Sequence, residues 1–283
     1  MLNELRRDLY AQIEPQQKLG TLPEVAKRNS TNPQWIVRTD NMANLAMINL
    51  DEVDEVIVLL NEDTKLNDLK VFPKNKLRLA LPTICRHVNH WKTIIDKMIV
   101  AGYKKWEIAN YWGVSALPKN GIDLSFDAPI YMFNSQATQM AKEIGATRIC
   151  LPVEDTLNNL QIIAKNSALP VVWEVYGDIP LFTSAACIRN NDCKNCERGE
   201  KWIKLVKNGH KYDVYSKNCQ TMLFDANHYC VTTEAQMVKA DFYRASFVYK
   251  KYSAKQVAEI FAKLQIFADV SNCHKGNLNG RIL

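Results

Sequence analysis

The chain has 283 residues, 47% of them hydrophobic, enough for one large domain or two small ones with a proper core. Lys and Arg number 36 against 30 Asp and Glu, a net charge of +6, which excludes a strongly acidic or polybasic protein and argues only slightly for a nucleic-acid partner. No run of 18 apolar residues offers a membrane span, and the charged N-terminus MLNELRRDLYAQIEPQQ lacks the apolar core of a signal peptide.

Leu2, Leu5, Leu9 and Ile13 recur at helical spacing and predict a helical lead-in over residues 1–30, broken near Pro15. From there to residue 283 the apolar runs come at regular intervals. Strands are predicted at Gln34–Arg38, Glu55–Leu60, Leu77–Leu81, Trp106–Ala109, Ile130–Phe133, Arg148–Leu151, Val171–Val175 and Phe242–Phe247. Helices are predicted at 41–49, at 88–101 before Gly102, at 136–144 between Ser135 as cap and Gly145 as stop, at 156–166 and at 254–267. The polar stretch 61–75 stands where a helix would be expected. Strands alternating with helices imply a parallel sheet, and eight of them suggest an α/β fold, a (β/α)8 TIM-like barrel, with an open doubly wound sheet as the alternative. No GxGxxG follows the first strand, so no Rossmann dinucleotide site is predicted.

Between the seventh and eighth strands lies a Cys-rich insertion, residues 185–230, too long for an ordinary connection. Cys187, Cys193, Cys196 and Cys219 are spaced C-x5-C-x2-C-x22-C. Thiolates are soft ligands, so three readings stand: a 4Fe-4S cluster, a structural zinc, or unliganded thiols. Eight cysteines without a secretion signal point to a reducing, cytoplasmic setting. The insertion is also basic, and Lys201, Trp202, Lys204 and Lys207 combine cations with an aromatic ring, as RNA phosphates and bases require. On a helix the three lysines would form one stripe. A solvated basic face is the competing reading.

Glu174-Val-Tyr-Gly177, Pro180-Leu181, Ser184 and Cys187 resemble the signature of the collagenase-like peptidase family U32. Ile130-Tyr-Met-Phe-Asn-Ser135, Ala141-Lys-Glu-Ile-Gly145 and Arg148-Ile-Cys-Leu-Pro-Val-Glu154 resemble the same family in the same order. The likeness runs over roughly residues 33–280. Pro180, Tyr176 and Ala185 depart from it, standing where the commonest signature has cysteine, histidine and glycine. The run LNELRRDLY resembles a family segment joining an upstream domain to a second copy, which would make Met1 the start of a fragment; an ordinary helix capping the barrel is the other reading.

The active site of such a barrel is expected at the C-terminal ends of the strands, where Asp40, Asn110, Asn134, Glu154, Glu174 and Arg244 stand. Glu154 and Glu174, on neighbouring strands, and Asn134 are the candidate catalytic groups, to orient substrate or move protons. The family name says peptidase, but the sequence holds no HExxH and no GxSxG. The resemblance implies instead an iron–sulfur enzyme that hydroxylates RNA (rRNA or tRNA) or quinone precursors without O2, with a small hydroxylated metabolite as oxygen donor. The alternatives are a metal-dependent peptidase and a non-catalytic barrel that binds RNA or completes a heterodimer.

Overall fold

A computed structural model describes residues 34–188 and 199–280. The lead-in 1–30, with Cys193 and Cys196 of the proposed ligand set, lies outside the described residues.

Seven parallel strands follow in order: β1 (Gln34–Thr39), β2 (Glu55–Leu59), β3 (Leu77–Ala80), β4 (Lys105–Ile108), β5 (Asp123–Phe126), β6 (Ala146–Cys150) and β7 (Val171–Gly177). Four more strands leave the barrel: β8 (Pro180–Ser184), β9 (Lys201–Lys207), β10 (His210–Lys217) and β11 (Gln220–Asp225). The chain returns through β12 (His228–Cys230) and β13 (Phe242–Phe247), and ends with β14 (Cys273–His274). β13 pairs in parallel with both β1 and β7 and so closes an eight-stranded barrel. The expected TIM-like architecture is therefore what the chain forms.

Helices α1 (Val88–Val100), α2 (Trp112–Ala116), α3 (Ser135–Ile144), α4 (Leu157–Asn166) and α5 (Ala254–Gln265) lie between or after the strands. Their ends follow local chemistry. Ser253 and Gln256 make a reciprocal capping box at the start of α5, and Gly145 takes φ 103° to stop α3. The helix expected over 41–49 is replaced by single 3-10 turns at Met42–Leu45 and Leu50–Glu52, capped by Asn41 and Asn49. The fifth strand is corrected from Ile130–Phe133 to Asp123–Phe126, and Ala128–Ile130 forms a 3-10 turn behind Asp127.

Outward-facing residues such as Trp35, Val37, Leu79, Trp106, Trp173 and Phe247 pack under the helices in one continuous core. The barrel lumen is different. Near its N-terminal end, Glu55 takes Arg78 Nε at 2.8 Å, Lys105 at 3.2 Å and also Arg148, while Arg78 reaches Asp123 at 2.8 Å. A small apolar cluster of Ile36, Ile57, Ala80, Cys150 and Val172 forms a separate layer. A second ionic layer lies toward the C-terminal end, around Arg244. Such a lumen is stacked in layers, as barrels of this type are.

The insertion is a four-stranded antiparallel sheet in the order β8-β11-β10-β9. It begins at Pro180, ahead of the expected boundary at 185. The hairpin between β9 and β10 turns at Asn208-Gly209, both with positive φ (52° and 80°), the two-residue turn that suits strand twist. A second tight turn at Asn218-Cys219 (49° and 60°) joins β10 to β11.

Arg244→Met should cost about 3–5 kcal/mol in urea unfolding at neutral pH, because it strips a buried cation from three carboxylates. Asp127 is held below the usual carboxylate range in the fold, so its contribution is present above about pH 4 and lost as pH falls below that. The cost of Arg244→Met should accordingly shrink in acid. An unfolding midpoint unchanged by the substitution would remove the ionic layer as a structural element.

Candidate active site at the C-terminal mouth

Five inward-pointing charged side chains from five elements meet in the upper lumen. Arg244 on β13 bonds Glu107 of β4 at 3.1 Å, Asp127 just after β5 at 2.6 Å and Glu174 of β7 at 2.6 Å. Arg38 on β1 takes the other oxygen of Asp127 at 2.8 Å and lies 3.9 Å from Glu107. All five are buried. Each sits inside an apolar strand or at its end, at the parity that points inward, so the fold delivers them together without a loop.

The electrostatics divide the three carboxylates. Burial opposes ionisation of Asp127, but Arg244 and Arg38 outweigh it and hold the group ionised well below its ordinary range. Burial, with Asp127 nearby, pushes Glu107 up. Burial also pushes Glu174 up, against the pull of Arg244. A carboxylate fixed in charge beside two nearer protonation is an arrangement suited to proton transfer. Arg38 Nε and Glu107 Oε1 make no close hydrogen bond but face each other as an ion pair at 3.9 Å, and the Ser246 hydroxyl lies beside Glu174 and favours its charged form.

Tyr249 connects this layer to the sheet. Its backbone has φ 70°, an uncommon conformation for an aromatic residue, and its N–H donates to Asp40 at 2.9 Å. Its ring packs on Phe224 (5.4 Å between centroids) and Tyr215 (6.4 Å) of the sheet. Lys250 bonds the carbonyl of Asp225 at 3.1 Å, and Arg86, in the loop after β3, donates to the Cys219 carbonyl at 2.8 Å. The sheet is thereby tied to loops at the C-terminal mouth.

The expected site residues fall in separate places. Glu174 is the inward carboxylate described above. Glu154 is exposed on the loop after β6, beside Tyr131, with its carbonyl held by Asn277 at 3.0 Å, and takes no part in the ionic layer. Asn134 spends its side chain as the N-cap of α3, accepting from Ala137 N at 2.9 Å, a role expected of Ser135. Glu107, Asp127 and Arg38 went unnoticed in the sequence, although each is a lone charge set in or against an apolar strand.

Cys187 lies 4.0 Å from the Ser216 hydroxyl, and Cys219 is in the tight turn after β10. Since Ser184 pairs with Thr221, and Thr221 with Ser216, the chain runs past β8 toward that same turn. Lys201 also pairs with Ser216, so the chain re-enters β9 from the same end. Topology thus brings Cys187, Cys219 and both attachments of the 189–198 connection to one end of the sheet. No three His, Cys, Asp or Glu side chains share a metal-ready geometry among the described residues.

The lysines lie on a strand and not on a helix, which corrects the single stripe: Lys201 and Lys207 share one face of β9 and Lys204 the other. Trp202 is half-buried against Tyr215 at 4.6 Å, with its indole N–H on Glu200, so the ring helps to anchor the sheet. At the opposite end of the barrel a depression of about 360 Å3 opens beside Glu55, Arg78, Lys105 and Arg148, whose charges are spent on one another.

No family model matches the chain, and no curated protein matches it. A solved structure of a U32 peptidase is similar to it with a TM-score of 0.42 and 11% identity, over 55% of this chain and 73% of that one. A likeness this loose identifies neither a shared activity nor a shared site. No helix among the described residues is long and apolar enough to cross a membrane.

Asn134→Ala should lower stability by about 1 kcal/mol through loss of the cap, with Asn134→Ser or Asn134→Asp restoring most of it. Urea midpoints of the three variants check this. Equal midpoints for wild type and Asn134→Ala would free the residue for a role at the mouth.

Proposed function

We propose that the chain is a U32-type barrel enzyme that binds an iron–sulfur cluster through its Cys-bearing sheet and modifies RNA without O2. The observation that carries this reading is the gathering of Cys187, Cys219 and both attachments of the 189–198 connection at one end of a sheet tied to the barrel mouth. Thiolates are the donors that iron and zinc both accept, and a zinc site is the alternative for the same residues. Bound there, a 4Fe-4S cluster would supply electron transfer or an open iron site.

The chain's own residues supply the rest. Arg244 and Arg38 hold Asp127 as a fixed anion, and Glu174, whose ionisation burial opposes, accepts or returns a proton. The five charged residues of the layer are buried, which keeps bulk water from them. The hydroxylated oxygen donor would be recognised by polar groups of the lumen, Arg38 and Ser246 foremost.

One observation favours a second reading. Every carboxylate of the ionic layer is already engaged by an arginine, as befits a barrel whose lumen is structural and whose work is binding RNA or a partner chain.

Anaerobic purification separates the two. The enzyme reading expects a brown protein with about four iron atoms per chain, lost in Cys187→Ser. A colourless, iron-free protein made under iron-replete anaerobic conditions overturns it. RNA is tested apart. Replacing Lys201, Lys204 and Lys207 by Gln should flatten the salt dependence of RNA affinity by up to about three units of log–log slope. Identical slopes in wild type and triple variant would remove RNA and favour a small-molecule substrate.

A further inference from the structure

Beyond β7's pairing with β6, its end pairs along that same edge with a small ribbon. Tyr229 and Cys230 of β12 pair with Gly177 and Tyr176 of β7, and His228 and Tyr229 pair in parallel with Cys273 and His274 of β14. Residues paired across strands, or two apart along one, share a face. Tyr176, Cys230, His228 and Cys273 therefore lie on one face, and Tyr176 packs outward on Phe247 at 5.5 Å. Asp178 joins them through His228 Nδ1 at 2.8 Å, and Tyr252 donates to the second Asp178 oxygen.

Two thiols thus stand side by side on a face that also holds a histidine oriented by a carboxylate. Cys230 is buried, 3.1 Å from the Thr232 hydroxyl, and Cys273 is half-buried. Hydrogen bonding from the neighbouring Cys273 thiol, helped by Thr232 and opposed by burial, pulls the Cys230 thiol down to about 6, while Cys273 is raised by the same pairing. Cys150, by contrast, is a buried thiol pushed up by burial.

We propose that Cys230 and Cys273 are a reversible dithiol–disulfide site, oxidised by low-molecular-weight disulfides such as glutathione disulfide. Cys273, the reachable sulfur, attacks one sulfur of the external disulfide while its proton passes to the Cys230 thiolate. A mixed disulfide forms and one thiolate leaves. Cys230 then attacks Cys273 Sγ, the Cys230–Cys273 bond forms as the bond from Cys273 to the small thiol breaks, and the proton held by Cys230 passes to the departing thiolate. One external disulfide, one protein thiol and one protein thiolate become one protein disulfide, one small thiol and one small thiolate, with protons and electrons balanced. Such bonds in reducing compartments are transient and sensing in character.

The geometry gives the bond a mechanical consequence. Diagonal neighbours across two strands start roughly an ångström or two wider than a disulfide tolerates. Closing the bond must therefore draw β14 along, and β14 has only two residues to hold it. The tail that follows carries Asn277, on the Glu154 carbonyl, and Leu278, whose carbonyl accepts from Leu157 N. Oxidation moves a segment that touches the rim of the mouth.

The full chain, equilibrated in glutathione buffers from reducing to oxidising, quenched in acid, alkylated and mapped by mass spectrometry, tests this. The expected result is a peptide pair joining Cys230 to Cys273, with about tenfold less alkylation of Cys273 under oxidising conditions, reversed by added thiol. Cys273→Ser should leave Cys230 alkylated at every ratio once the chain is unfolded, and Cys187→Ser should leave the pair intact. Because Cys230 is buried and its variant is prone to misfold, wild-type mapping and Cys273→Ser carry the test. Alkylation of Cys273 that stays constant across the series, or a bridge from Cys230 to any other cysteine, overturns the proposal.

Discussion

Arg244 is the pin of the barrel. One guanidinium reaches carboxylates delivered by β4, β5 and β7 from its own place on β13, so it spans the lumen at the point where the barrel closes. A buried charge network of this kind contributes little net stability compared with apolar packing, since desolvation offsets most of the Coulomb gain. It contributes geometry: an unpaired member is so costly that the strands must bring all members together. The same requirement operates at the other end, where Glu55, Arg78 and Arg148 answer one another. The apolar residues that would fill an ordinary lumen are confined to a thin layer led by Ile36, Ile57 and Val172.

That constraint explains what the sequence disclosed and what it hid. Seven of the eight strands were legible because their outward residues are apolar and regularly spaced, as in Trp35-Ile36-Val37 and Val171-Val172-Trp173. The fifth was not. Asp123-Leu-Ser-Phe126 is short and half polar because Ser125 faces an ionic lumen, whereas the more apolar Ile130–Phe133 lies in a turn and loop at the mouth. Single charges within strands (Arg38, Glu55, Arg78, Glu107, Arg148, Glu174, Arg244) look like interruptions when read one strand at a time. Read around a closed barrel they are complements, and closure is not a local property.

The candidate site was legible in part. Glu174 was visible as an acid on a strand of a barrel, but its partners lie 67, 47 and 70 positions away in sequence, at Glu107, Asp127 and Arg244. The spacing of the cysteines gave no register. The register came from the sheet, and the clue to the sheet was present in Asn208-Gly209, a hairpin turn between two alternating runs. The recurrence of lysine every third residue suggested a helix that this turn argues against. Trp202, read beside those lysines as an aromatic ring for RNA, packs on Tyr215 and Phe224 of the sheet.

The sheet has a further consequence. A closed barrel has no edges, but the sheet has two, and β9 is one of them. It is seven residues long, and Ile203, Leu205 and Val206 are 37%, 45% and 64% exposed, a surface on which another copy's strand could extend the ladder. Lys201, Lys204 and Lys207 place a positive charge near the start, middle and end of that edge. Two such edges brought together would oppose like charges along their whole length. Whatever else these lysines meet, their like charges oppose edge-to-edge pairing of two such strands.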